Sequence, residues 1–410
     1  MNNNEILQEN LRRITCFAEL DDDFWYLVLQ VSPLDDQLNL VKSFPRLKSL
    51  CKLANKKQIQ VLSTKELSYP NIDRALRWFG EDMKVLYVND SFSPTERCEC
   101  LRAVQEFCDN IESISFKTPV TKCLSNYYER MKSLHSIHMD YHVDSDDCLL
   151  EMFGQIPLLR SIHLTNFDTS KLRKMKGVEN VEVLKVDGKV TIYDMYHVLL
   201  SFLNLRILRL NCPGNLDLDY LDFLPLEEID ISQQTTKCSI PYYPNLKRLR
   251  INSSSIKLKV ILENRVEYYA NRLEKLHYVT ETDFETAEII SQFVMLKDLA
   301  CRPSDPESFQ CLLQFNRLER LNVSGNWENF GDYVLLMVHN NLQTLEYLDI
   351  SFCGTITTQF VYELLNLLEK KSNLPLNRFK LIAKFTYIDS RIMSMLGDRV
   401  NLIDITVTYY

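Results

Sequence analysis

Histidine is the residue type of this chain that comes nearest to a chemical site. His138 and His163 hold equivalent positions in two neighbouring segments, so their imidazole nitrogens could point toward one transition metal. A zinc site needs three or four converging ligands that a second layer of hydrogen bonds keeps oriented. The flanking segments offer Ser115 and Lys185 at the same position. We therefore expect no metal at this pair.

Cysteine offers a second possibility for a metal. Cys98 and Cys100 form a C-x-C pair and Cys108 follows, but no fourth ligand stands at finger-like spacing. The sequence also contains no Walker loop, no Gly-x-Gly-x-x-Gly, no Gly-x-Ser-x-Gly and no His-Glu-x-x-His. We predict a protein without catalytic residues, metal or cofactor, which is not an enzyme.

Composition and charge favour protein partners. The chain has 410 residues, 46% of them apolar, and a net charge of -8 from 47 basic and 55 acidic residues. A surface for nucleic acid is expected to carry surplus Lys and Arg, so we do not predict nucleic acid as a partner. No apolar run of about 18 residues and no signal-peptide pattern is present. With twelve cysteines in unpaired spacing, we expect reduced thiols, a cytoplasmic or nuclear location and no membrane partner.

A repeat organises most of the chain. The motif apolar-x-x-apolar-x-apolar recurs about every two dozen residues. Its last two apolar positions lie two residues apart, so they point to one side of a short strand, and the residue between them faces the other side. The fourteen copies are Met83–Val88, Ile111–Phe116, Leu134–Met139, Leu159–Leu164, Val181–Val186, Leu205–Leu210, Leu226–Ile231, Leu246–Ile251, Leu273–Tyr278, Leu296–Cys301, Leu318–Val323, Leu345–Ile350, Leu376–Leu381 and Leu402–Val407.

Segments with helical spacing separate these motifs. Apolar residues from Phe360 to Leu368 recur every three or four positions, and Asp305-Pro306 is a typical start of another helix. A single strand–turn–helix unit cannot bury its apolar face alone, but stacked units share a core. We therefore predict an α/β leucine-rich-repeat solenoid, a curved parallel sheet with outer helices. An ordinary α/β domain would need this spacing by accident.

The residue between the paired apolar positions is predicted to line the exposed face of the sheet. Equivalent residues on neighbouring strands stand about 4.8 Å apart, so their side chains form a ladder. This ladder is the surface that the sheet presents to a protein partner, and for the family resemblance described below it would be the substrate-binding surface. Its candidate residues are His138, His163, Lys185, Arg209, Asp230, Arg250, His277, Asn322 and Asp349.

Charged side chains alternate along this ladder and allow two interpretations. The basic rungs could recognise a bound protein, or they could neutralise the acidic rung between them and remain solvated. The basic rungs are Arg206 with Arg209 and Lys247 with Arg248 and Arg250, and the acidic rung is Glu227, Glu228 and Asp230.

Residues 20–52 do not fit the repeat and form three short amphipathic pieces. Asp21 to Asp23 open the first, which Ser32-Pro33 ends; Asp35-Asp36 opens the second, and Pro45 starts the third. So small a module needs support from the repeats, from a partner or from both. We predict a flexible or partly helical N-terminus over 1–15, the helical module over 16–54, a linker or first-repeat cap over 55–82 and the solenoid over 83–410.

Two stretches of the chain resemble a known family. Residues 19–31 with 33–47 are similar to an F-box, in the divergent form found in insect F-box proteins with leucine-rich repeats, and the order of the two parts matches that family. Residues 345–357 resemble the cysteine-containing repeat subclass common in F-box proteins, in which a Cys follows the strand and Ile-Thr opens the helix.

The resemblance implies a receptor that does no catalysis itself. Such proteins bind a Skp-type adaptor with the F-box and a protein substrate with the repeats, so that a cullin-based ubiquitin ligase marks the substrate for degradation. The alternative is a leucine-rich-repeat scaffold whose N-terminal module is only a structural cap. A nucleic-acid-processing or export factor that uses the same solenoid is a third possibility, which the acidic balance disfavours. By position, the resemblance assigns the adaptor contact to Leu20, Phe24, Leu27, Val28, Leu34, Leu38 and Val41.

Overall fold

The protein was analysed as a computed structural model, which divides into two compact units, up to Val181 and from Glu182 onward. The predicted N-terminal segment 1–15 lies outside the described residues. No helix among the described residues is long and apolar enough to cross a membrane. The structure describes residues 20–88, 92–116, 127, 131–140, 150, 152–168, 175–189, 199–218, 221–253, 256–325, 330–371, 378–389 and 391–408.

The first unit consists of a helical module followed by parallel strands that pair in chain order. Short 3-10 turns at Pro45–Leu47, Thr64–Glu66, Gly80–Asp82 and Phe153–Gln155 connect some of the elements. The elements are α1 Asp22–Val31, α2 Leu34–Ser43, α3 Lys48–Ala54, α4 Lys56–Gln60, β1 Val61–Ser63, α5 Tyr69–Phe79, β2 Val85–Val88, α6 Pro94–Phe107, β3 Ser113–Phe116, β4 Ser136–Asp140 and β5 Ser161–Asp168.

The second unit alternates parallel strands and helices, again with strands paired in chain order. Two 3-10 turns lie at Glu263–Arg265 and Gly397–Asn401. The elements are β6 Val183–Lys189, β7 Ile207–Asp217, β8 Glu228–Ser239, β9 Arg248–Asn252, α7 Leu258–Leu262, α8 Val266–Ala270, β10 Lys275–Thr282, α9 Phe284–Ser291, β11 Asp298–Pro303, α10 Pro306–Leu312, β12 Arg320–Asn322, α11 Gly331–Asn340, β13 Tyr347–Asp349, α12 Thr358–Leu368, β14 Phe379–Lys384, α13 Ile392–Met395 and β15 Ile403–Thr408.

The strands bury the positions that the motif predicts. In β7, Leu208 and Leu210 are 0% and 1% exposed, and the register aligns Leu208 with Leu184 on one side and Ile229 on the other. Such columns of buried side chains continue from strand to strand, and helices such as α10 and α12 begin where the sequence predicts. The predicted α/β leucine-rich-repeat fold with a parallel sheet is confirmed.

The sheet begins earlier than the sequence indicated. Strand β1 starts at Val61, inside the segment 55–82 expected to be a linker or first-repeat cap, and pairs in parallel with β2. Ile59, Leu62 and Thr64 take the three buried positions of the motif. Because Thr64 is polar, the apolar pattern did not reveal this repeat.

The thirteenth motif was placed two residues out of register. Leu376–Leu381 would pair Phe379 with Leu381 on the buried side, but β14 aligns Leu381 with Leu348. Leu381 and Ala383 are therefore the true pair, both 0% exposed. The sequence pattern missed this register because alanine is only weakly hydrophobic and Phe379 is more strongly so. Leu376 lies outside the described residues.

A residue with positive φ recurs at one fixed position of the repeat, inside β5 and in the turns that follow β12, β13 and β14. Asn166 (φ 53°), Gly325 (φ 86°), Phe352 (φ 62°) and Phe385 (φ 55°) each stand three residues after the central exposed residue of the strand. The amides of the last three donate to carbonyls of the next repeat, each at 2.7 Å. Glycine and asparagine adopt this conformation readily, whereas another residue loses about 1–2 kcal/mol.

The helical module has a small core and a buried polar contact. Leu29, Leu38 and Leu47 are 0% exposed. The Asn55 amide donates to Gln37 Oε1 at 2.5 Å, and Gln37 is only 1% exposed. Because a buried amide without a partner is costly, this pair fixes how α2 meets the end of α3.

Asp35 ties the module to the first repeat helix, and we call this contact the Asp35 latch. Its Oδ1 accepts hydrogen bonds from Ser68 N at 2.8 Å, Ser68 Oγ at 3.0 Å and Asn71 Nδ2 at 2.9 Å. Asn71 is fully buried. The carboxylate of α2 therefore caps the start of α5. Burial alone would raise the pKa of Asp35, but the hydrogen bonds from Asn71 and Ser68 outweigh it and lower the pKa.

Replacement of Asp35 by alanine should destabilise the first unit by about 1–3 kcal/mol, because the start of α5 loses its acceptor. The lowered pKa means that this stabilisation is present above the unfolded pKa and is lost as the pH falls through the folded pKa. Urea unfolding followed by tryptophan fluorescence measures both effects. The exposed neighbour Asp36, changed to alanine, is the control, and an equal loss in both variants would rule out the latch.

Candidate functional site

Helix α1 carries apolar side chains on two faces. Trp25 and Leu29 point inward and are 4% and 0% exposed. Phe24, Leu27 and Val31 are 45%, 62% and 85% exposed, and we call these three residues the outer face of α1. Their spacing places them along one side of the helix. An apolar helix face open to solvent is typical of a surface that another protein covers.

Capping and packing hold α1 in place. Asp21, as predicted, opens the helix, and its carboxylate accepts a hydrogen bond from Phe24 N at 2.7 Å. The ring of Trp25 packs on Phe44 with 6.1 Å between centroids. Arg46 donates to the carbonyl of Leu20 at 3.2 Å. The outer face is therefore presented by a helix whose start and inner face are both anchored.

The residues assigned to the adaptor contact differ in their exposure to solvent. Leu34, Leu38 and Val41 of α2 are 5%, 0% and 2% exposed, so a partner cannot reach them in this packing. They are part of the buried interior of the first unit. The apolar pattern of α2 gave the period of its buried face but not what covers that face. Phe24 and Leu27 are exposed, while Leu20 and Val28 are half-buried.

Two predicted substrate residues meet in the first unit. The rings of His138 and His163 stack, with 3.9 Å between centroids and 9° between planes. Ser115 Oγ lies 3.1 Å from His138 Nδ1. Within the described parts of the chain, no group of three or more His, Cys, Asp or Glu side chains is arranged to hold a metal ion. Both rings are half-buried, and one nitrogen of His138 lies within hydrogen-bond distance of Ser115.

The predicted ladder of the second unit is aligned by the strand register. Each candidate residue lies beside the equivalent residue of the next strand, so the substrate candidates of this unit form one row. Ala300 takes one position of the row, which contains Lys185, Arg209, Asp230, Arg250, His277, Ala300, Asn322 and Asp349.

Charges along this row are compensated within the chain. Glu228 bridges Arg209 at 2.6 Å and Arg248 at 2.8 Å. Burial alone would raise the pKa of Glu228, but the two guanidinium groups outweigh it and lower the pKa. Asp230 lies 3.9 Å from Arg250, and there burial dominates and raises the pKa of Asp230. These contacts favour the interpretation of a self-neutralised ladder.

Asp298 is a charged centre that sequence reasoning missed. Its carboxylate lies 2.8 Å from Lys275 Nζ, 2.9 Å from His277 Nε2 and 3.7 Å from Arg320 Nε. Arg320 in turn stacks over Tyr347, 4.0 Å from the ring centroid. Lys275, Asp298 and Arg320 take the third position of the motif, as does Tyr347, whereas His277 takes the fifth. The third and fifth positions share the exposed face because side chains alternate along a strand. A ladder predicted from the third as well as the fifth position of the motif would have included these residues.

No family model and no curated protein matches the sequence. Solved structures do resemble the chain. An internalin from Listeria monocytogenes is 14% identical, with a TM-score of 0.36, over 87% of this chain and 89% of that chain. The complex of Rad7 and Elc1 from yeast matches at 13% identity and a TM-score of 0.42, over 99% and 98% of the two chains. A leucine-rich-repeat protein from Leptospira interrogans matches at 13% identity and a TM-score of 0.39, over 86% and 98%.

Replacement of Asp298 by asparagine should lower the free energy of unfolding by about 1–3 kcal/mol, since three cationic or protonatable groups lose their carboxylate. Although burial alone would raise the pKa of Asp298, hydrogen bonds from His277 and Lys275 lower it. The stabilisation should therefore be lost as the pH falls through the folded pKa. Urea unfolding as a function of pH tests this, with the exposed Asp222, changed to asparagine, as control. Parallel pH profiles for the wild type and Asp298→Asn would contradict the prediction.

Proposed function

We propose that this protein is the substrate-recognition subunit of a Skp-cullin-F-box ubiquitin ligase. The N-terminal module binds a Skp-type adaptor, which brings a cullin, and the repeats bind a protein substrate for ubiquitin-dependent degradation. The observation that carries the proposal is the outer face of α1, on the module that resembles an F-box. The protein acts as a receptor in the cytoplasm or nucleus and catalyses no reaction itself.

The outer face has the chemistry of a docking helix. Phe24, Leu27 and Val31 recur at the spacing with which an amphipathic helix enters an apolar groove. Burying a leucine or phenylalanine side chain contributes about 1.5–3 kcal/mol, so this face could supply most of the driving force for a small interface. A helix that only shields the first repeat has no use for a second apolar face.

The Asp35 latch supports a receptor in a second way. A receptor must hold its adaptor contact in a fixed position relative to the repeats, because ubiquitin transfer depends on distance and orientation. Within the first unit, the three hydrogen bonds to Asp35 and the buried Asn71 join the module directly to α5. The module is therefore packed on the first repeat rather than tethered to it.

We propose that the substrate binds along the exposed face of the strands. Paired charges such as Arg209 with Glu228 contribute to specificity more than to affinity, since a partner must offer a complementary pattern to compete with them. The stacked His138 and His163 add an aromatic surface in the first unit. The proposed substrate residues are His138, His163, Lys185, Arg209, Arg250, His277, Asn322 and Asp349.

A second candidate function is a leucine-rich-repeat scaffold whose module only caps the repeats. The observation that favours it is the burial of Leu34, Leu38 and Val41. The apolar face of α2 is therefore covered by this chain itself and needs no partner to bury it. The two candidates differ in one property, adaptor binding.

Co-purification with a Skp adaptor, followed by isothermal titration, separates them. We expect the wild type to bind and Phe24→Ala with Leu27→Ala to bind at least about tenfold more weakly, because interface anchors of this size cost more than 1 kcal/mol each when truncated. Both side chains are exposed, so the variant should fold normally by circular dichroism.

The control is Leu336→Ala, which removes a leucine of α11 that is 47% exposed. It should bind the adaptor as the wild type does. If the wild type fails to bind any Skp adaptor, the module is a cap and the protein is a scaffold. If the double variant binds normally, the adaptor contact lies elsewhere on the module.

A further inference from the structure

Two rows of side chains on the exposed face of β1 to β5 contain no Lys, Arg, Asp or Glu. The strand register aligns the third positions of the motif into one row, which is Val61, Val85, Ser113, Ser136 and Ser161. It aligns the fifth positions into a second row, which is Ser63, Tyr87, Ser115, His138 and His163. We call these two rows the neutral face. All of its residues belong to the first unit.

The same positions of the second unit are different in charge. There the third positions of five consecutive strands, β8 to β12, are all charged, and they are Glu228, Arg248, Lys275, Asp298 and Arg320. A quarter of the residues of the chain are charged, so composition alone does not predict two aligned rows without a charge. A sheet face that contacts only water usually carries many charged side chains. The neutral face therefore has the composition of a surface that contacts another molecule.

Charged residues border the first row at the second position of the motif. Lys84 pairs with Glu112 at 2.7 Å, and Arg160 donates to the carbonyl of Asn180 at 3.2 Å. These charged groups are therefore engaged by partners within the chain.

The border beside the second row carries charges of both signs. Asp140 Oδ1 accepts a hydrogen bond from the Asn166 side chain at 2.6 Å, and Lys65 is exposed after the end of β1. The residues directly after β2, β3, β4 and β5 lie outside the described part of the chain. The neutral face is therefore defined by the strands alone.

One end of the neutral face is apolar and open to solvent. Val61 and Tyr87 are 46% and 47% exposed, and Val85 is half-buried beside them. Among the described residues, the side chain of Tyr87 has no hydrogen-bond partner and no ring contact. Tyrosine is enriched in protein interfaces because it combines a large apolar ring with a hydroxyl. This end of the face therefore suits an apolar side chain of a partner.

The other end of the first row offers hydroxyl groups. Ser113, Ser136 and Ser161 lie side by side and half-buried, and within the described residues their hydroxyls form no hydrogen bond. A hydroxyl both donates and accepts, so these three can bond the amide groups of a bound segment. In the second row Ser115 is buried, and its Oγ lies 3.1 Å from His138 Nδ1. The first row therefore holds the hydroxyls that a ligand can use.

We propose that the neutral face binds an extended, uncharged segment of the protein substrate. An aliphatic or aromatic side chain of this segment packs on Val61, Val85 and Tyr87, and its amide groups bond the serine hydroxyls. A charged side chain is disfavoured, because it would lose water without gaining a partner of opposite charge. The inference rests on the proposed function only in calling the partner a substrate, and adaptor binding plays no part in it.

The test is fluorescence anisotropy of the full chain at pH 8, where ordinary histidine side chains are neutral. The probe is a labelled heptapeptide with blocked ends, made of Ser, Asn and Leu around a central Tyr. Two counterparts carry Asp or Lys in place of Ser and Asn. We expect the wild type to bind the uncharged peptide at least about tenfold more tightly than either charged peptide.

Replacement of Tyr87 by alanine should weaken binding of the uncharged peptide about tenfold, because an aromatic anchor is lost. Its side chain makes no contact of its own, so the variant should keep the thermal midpoint of the wild type. The matched control is Tyr387→Ala, which removes a tyrosine of the second unit that is 75% exposed, and it should bind normally.

A second pair of variants tests the need for neutrality. Ser136→Asp places a carboxylate in the middle of the first row, and it should bind the uncharged peptide about tenfold more weakly and the Lys peptide more tightly than the wild type does. Ser136→Asn adds a side chain of the same size without a charge. It should bind the uncharged peptide more tightly than Ser136→Asp.

Maltohexaose tests an uncharged sugar, whose hydroxyls suit the serines but which has no side chain for Val61 and Tyr87. The proposal is overturned if the wild type does not bind the uncharged peptide at about 1 mM, or binds a charged peptide or maltohexaose as tightly. Normal binding by Tyr87→Ala or Ser136→Asp, or an equal loss in both tyrosine variants, would also overturn it. Adaptor binding by the same preparation keeps the two claims apart: a chain that binds the adaptor but not the uncharged peptide would retain the proposed function and lose this site.

Discussion

Every repeat of this protein depends on its neighbours to bury the two inward side chains of its strand. Leu208 and Leu210 are almost fully buried only because the adjacent strands align their own apolar residues beside them. A single strand and helix could not exclude water from such a pair. The same register fixes the outward residues in rows, so the exposed ladder and the Asp298 centre are consequences of how the core is built.

The first repeat meets this constraint with the helical module. The Asp35 latch joins α2 to α5, and the buried Gln37 and Asn55 amides fix the module's interior. The module therefore belongs to the packed structure of the first unit. Because α1 uses Trp25 and Leu29 for that packing, the outer face remains free for a partner. Capping and docking are thus compatible, and the two candidate functions differ only in whether the outer face is used.

Sequence pattern predicted most strands because their buried positions are strongly apolar, as in Leu205–Leu210. The pattern failed where the buried residue is weakly apolar or polar. The first repeat was not recognised because Thr64 takes one of its buried positions, and the thirteenth motif was misplaced by two residues because Ala383 takes one of its buried positions. Periodicity shows which residues share one face of a helix but not whether that face points to the core or to solvent. The exposure of Leu27 was therefore known only from the structure. The positive φ of Phe352 leaves no signature in the sequence, since most other residues in that turn position tolerate it better.

The contact between the outer face and an adaptor can be tested directly by site-specific photo-crosslinking. Benzoylphenylalanine in place of Leu27 would sit on the outer face, and the same group in place of Leu336 would sit on α11. After irradiation with a Skp adaptor, we expect a covalent adduct from position 27 and none from position 336. A folded protein that gives no adduct from position 27, or equal adducts from both positions, would contradict adaptor binding through this face.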